Sequence, residues 1–380
     1  MSTKKDLINL VIKLIKQQSI TPHDCECQKI IAHELRPFNF KCQSFDRNKT
    51  RNLFAVHGSN NLPLLLFAGH TDVVPPGPLN AWEYPPFSAH IDTENIYGRG
   101  AQDMKGNLAA MIIACKNFLK KNPNPNFSIG FAITSDEEGP GEDGMSYLVE
   151  ELKKQNITSQ WTIVGEPTSE NRLGDVHKIG RRGSINLELR FSGKQGHVAY
   201  LDAQENIIHC VSSWMHDLNA ISWPKHPDFP DISNHCTHLH ASSGACNVVP
   251  HQLNIKLNFR NHPNCSYEHI ERTLKELTKK HHLQLAIEKT SHAKSFIHQP
   301  DLLSKTVQYA VKEICGVSSL PSTNGGTSDA RHLTTMSNDL IEFGCCNHRI
   351  HQINEYVAID ELLKTSQIYE QILERIQQQN

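Results

Sequence analysis

Five histidine and carboxylate side chains follow directly on short apolar segments in the first half of the chain: His70, Asp72, Glu137, Glu138 and Glu166. Clustered carboxylates are costly unless a cation offsets their charge. Nitrogen and oxygen donors without sulfur suit zinc or a similar first-row divalent ion. If the protein folds so that these segments end at one place, the residue types predict a metal site there.

Two further donors complete the set. Asp103 stands in a glycine-rich turn before a helical pattern, and His351 lies far along the chain. The donors then suffice for two ions. His70 and Glu166 would hold one ion, His351 and Glu138 would hold the other, and Asp103 would bridge them. Such ion pairs stand roughly 3.5–4 Å apart and lower the pKa of a water held between them.

The two remaining carboxylates are predicted to act without binding metal directly. Adjacent residues at a strand end point in different directions, so Glu137 is free to serve as general base while Glu138 ligates. Asp72, two residues after His70, is suited to accept the second imidazole N–H and so to fix the ligating tautomer.

Three apolar runs, each followed by some of these donors, predict the elements that position them: residues 62–68, 127–134 and 161–164. None alternates with polar residues, which is typical of strands covered on both faces. Helical patterns at 106–119 and 146–154 separate the runs. The order predicts an α/β domain with a mostly parallel sheet flanked by helices, in which ligands bind beyond the carboxyl ends of the strands.

The pattern changes after residue 181. Segments 185–191, 253–260 and 283–288 alternate apolar with polar residues and predict strands with one wet face. Helical patterns are interleaved with them, and from about residue 295 the α/β pattern resumes. We therefore expect a catalytic domain formed by 1–180 and 295–380, interrupted by an inserted α+β domain, 181–294, with an antiparallel sheet.

The composition of the chain argues against several classes of protein. With 38 Lys and Arg against 40 Asp and Glu, the formal charge of −2 gives no support for nucleic-acid binding. No apolar run approaches the roughly 18 residues that a membrane span needs, so no membrane partner is expected. Eleven cysteines without a secretion signal favour reduced thiols and a cytoplasmic location.

The motifs that contain the donors resemble the co-catalytic zinc aminoacylase and carboxypeptidase clan: 69–77 (GHTDVVPPG), 97–106 (YGRGAQDMKG), 134–139 (TSDEEG) and 165–169 (GEPTS). Within that clan, further motifs are similar to the succinyl-diaminopimelate desuccinylase family: 180–184 (GRRGS), 193–200 (GKQGHVAY), 247–250 (NVVP), 258–260 (NFR), 325–331 (GGTSDAR) and 350–355 (IHQINE).

This resemblance implies hydrolysis of N-succinyl-L,L-2,6-diaminopimelate to succinate and L,L-diaminopimelate, a step toward lysine and cell-wall precursors. It implies two Zn²⁺ per subunit, with Co²⁺ as a plausible substitute, and a homodimer formed through the inserted domain. The family's oxyanion-stabilising histidine falls on His197, which would reach the active site of the partner subunit. Contacts to substrate are implied at Arg181, Ser184, His197, Asn247, Arg260, Gly326, Thr327 and Asn347.

Some positions depart from the family pattern: Leu201, Asn324, Ala330 and the pair His348 and Arg349. None removes a predicted ligand. Two alternatives stay open, namely a related deacylase or peptidase of the clan, such as an acetylornithine deacetylase or a dipeptidase, and a catalytically silent metal-binding homologue. A nucleotide-binding enzyme is disfavoured because neither G-x-G-x-x-G nor a Walker-type motif follows a strand.

Overall fold

The structure is a computed structural model that describes residues 2–299 and 301–379. Met1, Pro300 and Asn380, which fall within the predicted catalytic domain, lie outside the described residues. The chain divides into two compact units. The first comprises 1–179, 298–322 and 328–380, and the second comprises 180–297 and 323–327.

The α-helices of the described residues are α1 Ser2–Ile15, α2 Cys27–Leu35, α3 Gly106–Lys121, α4 Met145–Lys154, α5 Ile207–Asn219, α6 Tyr267–Lys280, α7 Leu302–Cys315, α8 Ala330–Leu333 and α9 Ile359–Gln379. The strands are β1 Lys41–Ser44, β2 Asn52–His57, β3 Leu64–His70, β4 His90–Ile91, β5 Asn95–Tyr97, β6 Ser128–Thr134, β7 Ser159–Val164, β8 Val176–Lys178, β9 Gly180–Arg181, β10 Gly183–Ser192, β11 Gly196–His197, β12 Ser233–His240, β13 Val248–Val249, β14 Gln252–Asn261, β15 Gln284–Ala293, β16 Phe296–Ile297, β17 Leu320–Ser322, β18 Ser337–Glu342 and β19 Tyr356–Ala358.

The first unit is built on a sheet with the strand order β1-β2-β6-β3-β7-β18-β8-β17. The central strands β6, β3, β7 and β18 run parallel to one another, and antiparallel pairs occur toward both ends. Every residue of β3 and β6 is buried, as their unbroken apolar sequences predict. The predicted α/β fold class, with a mostly parallel mixed sheet, is confirmed.

Helix α3 is buried along most of its length and packs against α9. Gly69, the residue before His70 in β3, allows the start of α3 and the segment before it to approach the strand closely, since a Cβ at Gly69 would collide with the side chain of Met104 and contact that of Leu108. The strands that carry the predicted donors are therefore fixed from the side on which α3 lies.

The second unit contains an antiparallel sheet with the order β12-β14-β10-β15. Buried and partly buried residues alternate along β10 and β14, which confirms strands with one wet face. Their apolar face packs on α5 and α6 around Trp214, which is fully buried and donates a hydrogen bond from Nε1 to Oγ1 of Thr278 at 3.1 Å. This unit therefore has a core of its own.

Three details differ from the sequence-based expectations. Strands β1 and β2, which extend the main sheet, and the long exposed edge strand β12 were not predicted: β1 and β12 have no clear apolar signal, and the short apolar run 53–56 in β2 was missed. The second unit begins one residue earlier and ends three residues later than predicted, because β9 pairs with β16. It also includes 323–327. None of the described helices is long and apolar enough to cross a membrane.

Candidate metal centre

The carboxyl ends of three neighbouring strands deliver most of the predicted donors. β3 lies between β6 and β7 and is parallel to both, so the three ends meet at the same edge of the sheet. His70 is the last residue of β3. Glu137 and Glu138 follow β6, and Glu166 follows β7. The order and direction of the strands therefore bring these side chains to the same edge of the sheet.

The first group of donors consists of His70, Asp103 and Glu166, all at most 8% exposed. One possible ligand atom from each lies within 4.8 Å of the others. Nε2 of His70 is 3.2 Å from Oδ1 of Asp103 and 3.9 Å from Oε1 of Glu166. A single cation placed among these atoms would replace the close contacts with coordination bonds.

The second group consists of Asp103, Glu138 and His351. Nε2 of His351 is 2.8 Å from Oε1 of Glu138 and 3.4 Å from Oδ2 of Asp103. The two oxygens of Asp103 thus face two different imidazoles, one in each group. This is the arrangement that a bridging carboxylate requires, and all five predicted ligands belong to these two groups.

Glu137 lies next to both groups. With His70 and Glu138 it forms a third cluster whose possible ligand atoms are all within 4.8 Å of one another. Burial and the nearby carboxylate of Glu166 raise the pKa of Glu137 well above the usual carboxyl value. A carboxyl group in this setting holds a proton more strongly than an exposed one.

The directions in which the pKa values of the donors shift indicate whether the site favours positive charge. Burial lowers the pKa of His70, but contacts with Asp103 and Asp72 outweigh it and raise that pKa. Hydrogen bonds with Asp103 and Glu138 raise the pKa of His351 to about 10. Burial raises the pKa of Asp103, yet the two imidazoles hold it below its usual value. The cluster therefore demands positive charge at both imidazoles, and two divalent ions at these nitrogens satisfy the same demand.

Asp72 is fully buried, and its carboxylate supports the turn that carries the two glutamates. It accepts hydrogen bonds from the backbone N–H of Glu137 at 3.3 Å and of Glu138 at 3.1 Å. Nδ1 of His70 lies 2.9 Å from the backbone oxygen of Asp72 and 3.5 Å from its carboxylate. The main chain of Asp72 is thus the closer imidazole partner, whereas the prediction assigned that contact to its carboxylate.

A buried ion pair that the sequence analysis did not single out connects the loops of Asp103 and His351. Arg99 and Glu355 are 2% and 0% exposed, and Nη1 of Arg99 donates to Oε2 of Glu355 at 2.7 Å. Glu355 lies in a motif that drew attention only through His351. The position of Glu355 in the sequence does not indicate its role, because its hydrogen-bond partners lie about 250 residues away in sequence.

Seven of the eight predicted substrate-binding residues belong to the second unit, where they lie on several different segments of the chain. Ser184 on β10 is the register partner of Arg260 on β14. His197 is exposed, and its Nε2 lies 3.4 Å from Nδ2 of Asn247. Arg181 is buried on β9.

The other two residues of the second unit, Gly326 and Thr327, lie in its segment 323–327. The eighth, Asn347, belongs to the first unit, where its N–H donates to the backbone oxygen of Ser169 at 3.0 Å.

A mostly parallel α/β unit, an antiparallel unit inserted in its sequence, and two donor groups that share one aspartate are together typical of metal-dependent hydrolases. The family model described as peptidase family M20/M25/M40 matches residues 66–375. The chain belongs to this family and is a hydrolytic enzyme, and the resemblance found in its motifs is confirmed.

Curated relatives carry a more specific name. The chain is 40% identical to a succinyl-diaminopimelate desuccinylase of Hahella chejuensis, with 97% of this chain and 96% of the relative covered. It is 41% identical to the protein of that name from Acinetobacter baumannii, with 98% of each covered.

Solved structures of low sequence identity share the fold. An M20 family metallo-carboxypeptidase, Sso-CP2 of Sulfolobus solfataricus, matches with a TM-score of 0.76 at 19% identity, covering 97% of this chain and 98% of that one. The YXEP protein of Bacillus subtilis, described as a dinuclear metal binding peptidase of the M20 family, matches with a TM-score of 0.74 at 13% identity, covering 100% and 99%.

Proposed function

We propose that this chain hydrolyses the amide of N-succinyl-L,L-2,6-diaminopimelate to give succinate and L,L-diaminopimelate. The observation that carries the metal-dependent chemistry is the position of Asp103, whose two oxygens face His70 and His351. The substrate assignment rests on the motifs of the sequence and on the names of relatives at about 40% identity. A biosynthetic role of this kind, and eleven cysteines that are all free, support a cytoplasmic location.

In this proposal His70, Glu166 and Asp103 hold one Zn²⁺, and His351, Glu138 and Asp103 hold the other. Co²⁺ is a plausible substitute because it accepts the same nitrogen and oxygen donors. When bound, the ions supply a polarised carbonyl and a water of lowered pKa.

Glu137 carries the proton transfers. It accepts a proton from the water that attacks the amide carbonyl carbon, and it later delivers that proton to the departing amine nitrogen. The protonated form of Glu137 must persist until the C–N bond breaks. Asp72 assists by holding the backbone of Glu137 in place.

Recognition of the substrate is assigned to the remaining residues. The substrate is rich in carboxylates, and guanidinium groups such as those of Arg181 and Arg260 bind carboxylates in a bidentate manner. Ser184, Asn247 and Asn347 would add neutral hydrogen bonds, and the backbone at Gly326 and Thr327 would add further donors.

A homodimer through the inserted unit is part of the proposal, with His197 of one subunit stabilising the oxyanion in the other. Mixed dimers test this directly. A Glu137→Gln subunit and a His197→Ala subunit should each have strongly reduced activity alone. Coexpressed, they should regain activity, because one of the two sites then has both groups. If the mixture stays inactive although mixed dimers are isolated, His197 does not act across the subunits.

The function itself is tested by turnover of the zinc-loaded protein on three substrates: succinyl-diaminopimelate, acetylornithine and a dipeptide. We expect succinyl-diaminopimelate to give the highest kcat/KM. Glu137→Gln should lower kcat by about 10²–10⁴-fold while the bound zinc, measured by atomic emission, is retained. A higher kcat/KM on either comparison substrate would reassign the chain within the family, and metal binding without any hydrolysis would make it a silent homologue.

A further inference from the structure

Two polar loops that supply ligands to the metal centre are held together by one buried carboxylate. Oε2 of Glu355 accepts hydrogen bonds from Arg99 at 2.7 Å and from the N–H of Gly100 at 3.1 Å. Oε1 accepts from the N–H of Gln102 at 2.9 Å and of Asp103 at 3.2 Å. A fully buried carboxylate with four donors fixes the turn that ends at Asp103.

The other half of the ion pair acts on the loop of His351. Nη1 of Arg99 donates to the backbone oxygen of Gln352 at 3.1 Å, and Nη2 donates to that of His351 at 3.3 Å. The guanidinium also lies over the ring of Trp82, at 5.3 Å from its centroid. These contacts leave Arg99 with one orientation, in which it binds the His351 loop and Glu355 at once.

The loop needs such support because its own backbone is unfavourable. His351 has a φ of 60°, in the left-handed region that residues with a Cβ adopt at a cost. The side chain of His351 is 47% exposed, whereas that of His70 is 1% exposed and stands on a central strand. Packing fixes His70, and it does not fix His351.

We propose that Arg99 and Glu355 are positioning residues that set the affinity of the ion held by His351 and Glu138, and that they affect the ion held by His70 and Glu166 much less. This inference rests on the proposed two-ion site. The reason for the asymmetry is that the ion pair binds the backbone of His351 directly. On the other side it reaches only Asp103, while His70 and Glu166 are held by the sheet.

The test is calorimetric titration of the metal-free full-length protein with Zn²⁺, in the presence of a competing chelator. The parent should bind two ions in two distinguishable steps. Glu355→Gln keeps the shape of the side chain but loses the charge and one acceptor oxygen. It should weaken the second step by about 10–100-fold, the range found when partners of metal ligands are removed, and weaken the first step much less. His351→Ala should abolish the second step.

A matched control is Glu34→Gln. Glu34 is also an ion-paired glutamate, with Lys116 at 2.6 Å and Lys13 at 3.1 Å, and it lies outside the ligand loops. This variant should leave both binding steps unchanged. Should Glu355→Gln not fold, as judged by circular dichroism of the metal-free protein, Arg99→Lys takes its place. An ammonium keeps the charge but cannot bind Glu355 and both carbonyls in the geometry of a guanidinium.

The visible absorption of the Co²⁺-loaded protein gives a second readout. In Glu355→Gln the spectrum of the first cobalt equivalent should differ much less from that of the parent than the spectrum of the second does. Equal weakening of both steps, or no weakening of either, overturns the inference while the two-ion site stands. A parent protein that binds only one ion, or His351→Ala that still binds two, overturns the proposed site and the inference with it.

Discussion

Replacing Asp72 by asparagine tests the role of its negative charge separately from the role of its volume. The substitution preserves volume, so the fully buried site stays filled. It removes the negative charge that accepts two backbone N–H groups, of Glu137 at 3.3 Å and of Glu138 at 3.1 Å. An amide has one acceptor oxygen, so its NH₂ group must face one of these N–H groups instead.

The size of the effect follows from those bonds. A hydrogen bond to a charged group contributes about 1.5–3 kcal/mol, and about 1.4 kcal/mol corresponds to a factor of ten in rate. Loss of one such bond at the turn of the general base should therefore lower kcat by roughly 10–100-fold. The substrate does not touch Asp72 in the proposed arrangement, so KM should change little.

The assay is steady-state hydrolysis by the zinc-loaded variant, with bound zinc measured in the same sample. Asp92→Asn is the matched control, because Asp92 also accepts two backbone N–H groups, at 2.7 and 2.6 Å, but in an exposed turn. Its kcat should equal that of the parent. If Asp72→Asn had parental kcat with both ions bound, the carboxylate would not position Glu137, and the reasoning would be refuted.

Three further predictions concern stability. Burial raises the pKa of Asp339 from 3.8 to about 6. The contribution of Asp339 to the free energy of unfolding is therefore fully present below pH 4 and is lost as the pH rises through 6. Asp339→Asn, which can still accept from the N–H of Leu303, should stabilise the protein at pH 7.5 by at most about 3 kcal/mol and leave it unchanged at pH 4, as measured by urea unfolding. Trp214→Ala should destabilise the second unit by about 3–5 kcal/mol, and calorimetric zinc titration should still find two ions because all five proposed ligands lie in the first unit. Removing metal with a chelator should lower the melting temperature of the first unit only, since ions stabilise the state that binds them; an equal shift of both unfolding transitions would contradict separate units.

The site residues that could be predicted are those that lie at the ends of regular strands. His70, Glu138 and Glu166 stand at or just beyond the ends of buried strands whose unbroken apolar sequences are easy to find. Once those strands are parallel neighbours, convergence of their ends requires no further information. The antiparallel unit was predictable for a related reason, since alternation in β10 and β14 records which face is covered.

Strands without a distinctive pattern were not predictable. β1 is exposed along most of its length and β12 is exposed over its last six residues, so neither sequence records a buried face. Both are edge strands, and each is held mainly by backbone pairing with one neighbour. Backbone hydrogen bonds depend weakly on side-chain identity, which leaves little trace in a single sequence.

The same limit explains why His351 could be predicted while its support could not. A histidine is itself a recognisable donor, and the shortage of ligands for a second ion pointed to it. Its position depends on Arg99 and Glu355, whose hydrogen bonds go largely to backbone groups of other loops. The donors of a metal centre are thus visible as residue types, while the groups that hold an exposed donor in place become visible only when the backbone they bind is known.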